Sequence, residues 1–220
     1  SRDINYKSWG YDNYYGLQDI QKYNDERYVL DRELILNKTF YNKIFKQQGN
    51  FVNYIITYSP HTPFTTEKEV GKILAEEKYG KGNVPKLSEE DCAKMAASET
   101  DNMVGLLIQA LKDNGLYDNT VIVAYADHYL YTLDDKSILD KYKETSNNLI
   151  NHTPFFIWSS DLGQLTSISK VNMQMDILPT VLNLFGIDYN SNNYIGHDIL
   201  SNDFKGYAFF SDYSWYDGKV

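Results

Sequence analysis

The chain has 220 residues, 42% hydrophobic and 23% charged, a balance that can bury a sizeable core and fits one large domain better than two. Its formal net charge of −9 excludes a nucleic-acid footprint and excludes holding an anionic membrane surface by charge alone, so any anionic substrate needs a local cation. The single cysteine, Cys92, excludes an intramolecular disulfide and a cysteine-based zinc cluster within the chain, and no run of about 18 apolar residues offers a bilayer span.

Residues 1–24 are aromatic and irregular, with W-G-Y-D-N-Y-Y-G punctuated by glycine and showing no sustained period, and they read as a surface-packed loop. The 20 tyrosines read as a bias toward Tyr, Asn, Lys and Ile more than as a sugar-stacking surface. No signal peptide opens the chain, and Ser1-Arg2-Asp3 reads as the interior of a longer polypeptide, which leaves secretion open. Across residues 25–48, apolar positions at Leu30, Leu34, Ile35, Phe40, Tyr41, Ile44 and Phe45 predict a helix, with Asp31 as its N-cap and Gly49-Asn50 as its stop.

Residues 51–58, F-V-N-Y-I-I-T-Y, predict a buried strand that runs into S-P-H-T-P-F, where Pro60 and Pro63 hold His61 in a stiff turn. A charged, glycine-containing excursion over 65–86 follows, with a short helical piece near 70–77. Residues 88–114 predict a long amphipathic helix with Met95, Val104, Leu107, Ile108 and Leu111 facing inward and Gly115 ending it. Next comes a short β-branched run at 121–126, expected to be a strand buried on both faces. The order strand, loop, helix, strand is the βαβ rhythm of a parallel sheet, and it predicts 51–58 and 121–126 as neighbouring strands.

The second strand ends in Asp127-His128. In open α/β sheets the ligand crevice lies beyond the carboxyl ends of the strands, so a carboxylate and an imidazole placed there can converge on one metal ion or phosphate. The ordinary reading, a loop aspartate beside a surface histidine, competes with that one when the pair is taken alone. Residues 129–151 are polar and long enough to form a lid or insertion. A third strand is expected at 153–158 and a helix at 171–185, where Pro179 places the helix start or a kink near Asp176 and Gly186 closes it. Hairpin-like fragments occupy 195–220.

Five stretches, S-R-D-x-x-Y-K-x-x-G-Y-D-x-Y-Y, I-T-Y-S-P-H-T-P-F, G-L-Y-D-N-T-V-I-V-A-Y-A-D-H-Y, Q-M-D-I-L-P-T-V-L-N-L-F-G-I-D and I-G-H-D-I-L, occur in an order and spacing that resembles the lipoteichoic acid synthase family. These are phosphoglycerol transferases of the alkaline phosphatase and sulfatase superfamily. The resemblance runs from Ser1 to about Phe204. It implies an α/β fold with a mainly parallel sheet flanked by helices, of which this chain would be the C-terminal portion of one catalytic domain. It also implies one divalent cation, usually manganese, with magnesium or zinc as alternatives.

Carried over residue by residue, the resemblance makes Asp127 and His128 metal ligands, Arg2 a phosphate-binding arginine, and His61 and His128 substrate contacts. Arginine suits that role because its planar fork meets phosphate bidentately. Pro60 replaces the family's usual Asn, and Ala126 replaces its usual Gly. No catalytic nucleophile is expected within the chain, because the family's Thr nucleophile and Glu ligand would lie upstream of Ser1; the fragment alone is therefore expected to be inactive. His152 and His197 match no ligand of the family and read as turn histidines.

The implied partners are the headgroup of a phosphatidylglycerol-like anionic lipid and a glycerophosphate polymer or glycolipid acceptor, at the extracellular face of a Gram-positive-type cell membrane reached through upstream helices. Two other readings stand beside this one. A sulfatase, phosphodiesterase or phosphoethanolamine transferase of the same superfamily would share the Asp-His strand end, and a noncatalytic glycan- or teichoic-acid-binding remnant would use the aromatic N-terminal loop.

Overall fold

The computed structural model describes residues 2–16, 19, 30–142 and 153–219. Two compact units divide the chain, Ser1–Asp161 and Leu162–Val220. The first opens on helix α1 (Arg2–Ser8), where the sequence predicts a loop. None of its residues is buried, so no apolar stripe announces it. Its anchor is Tyr6, whose ring meets Trp9 and Tyr11 edge-on and stacks on Tyr14.

The helix expected over 25–48 is two helices in its described part, and residues 25–29 lie outside the described residues. Helix α2 (Glu33–Leu36) and helix α3 (Lys38–Phe45) are separated by Asn37 in an extended conformation. Asn37 is the cap that Asp31 was expected to be: its side chain accepts from the Thr39 and Phe40 N–H groups, so a local polar side chain opens a new helix in mid-pattern. Asp31 instead directs its carboxylate across the fold to Tyr58, Ser59 and Thr100.

Helix α4 (Glu69–Tyr79) matches the short piece expected in the charged excursion. Helix α5 (Glu89–Asp113) is the scaffold of the unit. Ser88 caps it through the Asp91 N–H at 3.1 Å, worth about 1 kcal/mol, and Glu89, Glu90 and Asp91 complement the helix dipole in the first turn. Its end is a Schellman motif: Gly115 takes φ +66°, its N–H reaches Lys112 O, and the Leu116 N–H reaches Leu111 O. One face packs Met103, Ala110 and Leu111 with Ile35 and Phe45, and the other end packs Cys92, Ala93 and Ala96 with Phe64, Leu133 and Ile138.

Strand β1 (Val121–Tyr125) pairs with strand β2 (Phe155–Ser159). Phe155 lies opposite Tyr125 and Ser159 opposite Val121, so the pair is antiparallel. The parallel neighbour expected for β1 is therefore not what the described ladder contains. Residues 51–58 form no strand, and Val52, Tyr54, Ile56 and Tyr58 are exposed. Their β-branched, alternating composition favours an extended chain, but a strand also needs a partner edge, and composition does not supply one. β1 is likewise only half-buried, with Val121 and Tyr125 exposed at its ends.

After β1 the chain docks onto the start of α5. Leu133 enters the core, the Glu89 carboxylate accepts the Asp134 and Asp135 N–H groups, and Glu90 binds Lys141 and the Tyr142 hydroxyl beside helix α6 (Ser137–Asp140). The remainder of the expected lid, residues 143–152 with His152, lies outside the described residues.

In the second unit, a 3-10 turn (Gln174–Asp176) leads into helix α7 (Ile177–Leu184), so the helix begins where Pro179 requires. Asp176 is buried and accepts the Met173 N–H at one oxygen and the His197 N–H at the other. Thr180 donates to Asp176 O and accepts the Ile199 N–H. Gly196 passes so close that a Cβ there would lie 1.8 Å from Met175 O. Strands β3 (Ala208–Phe209) and β4 (Trp215–Tyr216) make the expected hairpin. No helix among the described residues is long and apolar enough to cross a membrane.

Candidate metal and phosphate site

The β1–β2 ladder has one more rung beyond its last strand residue, from Ala126 N–H to Pro154 O at 3.1 Å. Asp127 is thus the first residue clear of the ladder, and its side chain is 83% exposed. His128 follows with its Nε2 3.6 Å from Asp127 Oδ1. The ring is oriented from behind: Nδ1 lies 2.8 Å from the Tyr129 carbonyl oxygen, and Tyr131 packs edge-on with ring centroids 4.8 Å apart. A carbonyl oxygen can only accept, so this contact places the proton on Nδ1 and leaves the Nε2 lone pair on the side of the Asp127 carboxylate.

A carboxylate oxygen and an imidazole nitrogen that face each other across 3.6 Å can share one divalent cation, and the backbone carbonyl behind the ring is the support that ligating histidines commonly have. The donor set therefore fits part of a coordination shell. Among the described residues no group of three or more His, Cys, Asp or Glu side chains is placed to hold a metal ion, so the pair would need further ligands.

Two tyrosines to which no sequence motif assigns a role connect this strand end to α1. Tyr125 OH and Tyr54 OH are 3.1 Å apart. That hydrogen bond, with burial and the nearby Tyr125 and Asp127 charges, pushes the Tyr54 phenol up to about 12. The Tyr54 ring also lies 5.9 Å from that of Tyr6. Burial and the neighbouring Tyr54 raise the Tyr6 phenol, while the Arg2 guanidinium pulls it the other way. Tyr54 thus touches both the strand end, through Tyr125, and α1, through Tyr6.

His61 has the same local design as His128. Its Nδ1 lies 2.7 Å from the Thr62 carbonyl oxygen, which leaves Nε2 as the acceptor, and its ring stacks on Tyr58 at 5.1 Å and 10°. The Thr62–Pro63 peptide is cis. The described contacts of His61 are with Tyr58 and Thr62, on the segment that carries Tyr54, whereas Asp127 and His128 meet directly. His197, in the second unit, lies 3.4 Å from the Tyr207 hydroxyl through Nδ1.

A protein-family model described as sulfatase matches residues 1–187. Lipoteichoic acid synthase of Staphylococcus saprophyticus is 30% identical over 236 residues, covering 100% of this chain and 35% of that protein. The lipoteichoic acid synthase of Staphylococcus aureus is 29% identical over 235 residues, covering 96% of this chain and again 35% of the relative. The crystal structure of the lipoteichoic acid synthase LtaP from Listeria monocytogenes superposes with a TM-score of 0.68 at 26% identity, over 90% of this chain and 50% of that one. The chain therefore spans about a third of the length of the curated relatives it matches.

Proposed function

The chain belongs to the sulfatase family, with an α/β fold and lipoteichoic acid synthases among its relatives, and from that premise we propose that it is part of a metal-dependent phosphoglycerol transferase. The observation that carries the reading is the convergence of Asp127 Oδ1 and His128 Nε2, 3.6 Å apart at the end of β1. In this reading the two side chains hold one divalent cation, manganese by preference, at the extracellular face of a cell membrane. The nucleophilic Thr and the remaining ligands come from polypeptide outside these 220 residues.

When bound, the cation supplies Lewis-acid stabilisation of charge on the phosphoryl oxygens and lowers the pKa of the attacking hydroxyl. Arg2 grips the non-bridging phosphate oxygens of a phosphatidylglycerol headgroup with its guanidinium fork. His61 presents Nε2 as an acceptor to a glycerol hydroxyl. Asp127 holds charge at the site, while Tyr129 and Tyr131 set the side to which the His128 ring offers its lone pair. Displacement of diacylglycerol by the Thr oxygen would leave a glycerophosphoryl ester on that residue, and a hydroxyl of a glycerophosphate polymer or glycolipid acceptor would take the group and release the Thr.

The test uses the intact protein with manganese and phosphatidylglycerol, and measures diacylglycerol release beside hydrolysis of an aryl sulfate. Asp127→Ala and His128→Ala should each abolish lipid cleavage. Arg2→Lys should keep the metal and raise KM, because lysine retains the charge and loses the fork. Cleavage of the sulfate ester with no action on the lipid would replace this reading with that of a sulfatase.

A further inference from the structure

Asp31 has no place in the chemistry above, yet it is among the most heavily engaged side chains of the first unit. It is 2% exposed and Ser59 is 0% exposed. Asp31 Oδ1 accepts from both Tyr58 N–H, at 2.7 Å, and Ser59 N–H, at 3.0 Å. Ser59 Oγ returns the contact by accepting the Asp31 N–H at 3.0 Å. Asp31 Oδ2 receives the Thr100 hydroxyl at 2.6 Å, which ties the clamp to α5. Next to it, the Arg32 guanidinium binds the Glu77 carboxylate, and the Arg32 N–H reaches Glu99 at 3.2 Å.

What the clamp holds is the residue that sets His61. The His61 N–H closes a turn onto Tyr58 O at 3.0 Å, and the His61 ring lies on the Tyr58 ring. Both the backbone and the imidazole plane of His61 thus take their position from Tyr58, and Tyr58 takes its position from Asp31. We propose that Asp31 is a positioning residue, which acts through Tyr58 and Ser59 to aim His61 at the substrate. The proposal rests on the reading of His61 as a substrate contact. It goes beyond that reading by placing the control of the contact on a buried carboxylate on the far side of helices α2 and α3 in the chain.

The test compares Asp31→Ala with Asp31→Asn in the intact protein. Asparagine keeps an acceptor for the two N–H groups, and the Thr100 hydroxyl can turn to accept from its amide. Alanine removes the clamp. Asp31→Ala should speed amide exchange across 58–61 and raise KM for the phosphatidylglycerol donor roughly tenfold, with kcat changing less, while Asp31→Asn should restore both. In a His61→Ala background, Asp31→Ala should add nothing further to KM.

An additive KM effect in the double variant, or unchanged exchange and KM in Asp31→Ala, would overturn the proposal. A His61→Ala protein with normal KM would instead remove the substrate role of His61, and the exchange at 58–61 would still report whether Asp31 sets its backbone. Should Asp31→Ala fail to fold, Ser59→Ala removes a single contact of the clamp and should shift exchange and KM in the same direction by less.

Discussion

Asp127 and Asp176 each meet a histidine, the first through its ring and the second through its backbone N–H, in opposite surroundings. The Asp127 side chain is 83% exposed and faces His128 Nε2. Asp176 is 1% exposed, and its two oxygens are occupied by the Met173 and His197 N–H groups. A carboxylate that already accepts buried N–H groups at both oxygens has no capacity for a cation without breaking the fold, whereas one at a strand end beside an oriented imidazole does. Residue type is shared by the two sites; saturation by the backbone marks Asp176 as structural, and exposure at a strand end is what makes Asp127 the candidate ligand.

The largest effect that this contrast predicts is at Gly196, where a Cβ would lie 1.8 Å from Met175 O and 2.7 Å from the Asp176 N. Backbone cannot move aside as a side-chain tip can. Gly196→Ala should cost about 3 kcal/mol or more and visibly lower the thermal midpoint; a normal midpoint would mean that the two backbone segments can part at little cost. Asp176→Ala comes next. It leaves two N–H groups without their acceptor, for a loss of about 3 kcal/mol in chemical denaturation, and Asp176→Asn should recover part of that because it retains one acceptor oxygen.

A smaller effect concerns the docking of residues 133–142 onto α5. Hydrogen bonds from Lys141, then Lys94 and Tyr142, hold the Glu90 carboxyl down from 4.5 to about 2. A folded value below the unfolded one stabilises the protein above the unfolded value, and that contribution disappears as pH falls from about 4.5 toward 2. Melting curves of the parent chain and Glu90→Gln should therefore differ slightly at pH 6 and converge near pH 2. A gap that widens in acid would contradict the assignment. Smallest of all is the stability change for Asp127→Ala, within about 0.5 kcal/mol, as for a side chain that is 83% exposed.

How much of this was legible in the sequence follows the same division between local and distant causes. Helices α5 and α7 could be read because Ser88, Gly115, Pro179 and Gly186 act on their immediate neighbours. The Asp127-His128 pair could be read because the residues are adjacent and follow a strand. The partner of 51–58 could not, since pairing depends on an edge that the segment does not encode. Asp31 has the sequence signature of a cap because a capping aspartate and a clamping one differ only in the hydrogen bond that reaches 28 residues on to Ser59. The short α1 left no periodic stripe, because ring contacts around Tyr6 support it.

Manganese titration of the chain, followed by the ring resonances of its four histidines, tests the metal assignment most directly. Paramagnetic broadening should fall first on His128, require weak millimolar-range binding of the order expected for two protein ligands, and vanish in Asp127→Ala. Broadening that persists in Asp127→Ala, or that spares His128, would contradict a cation site at the end of β1.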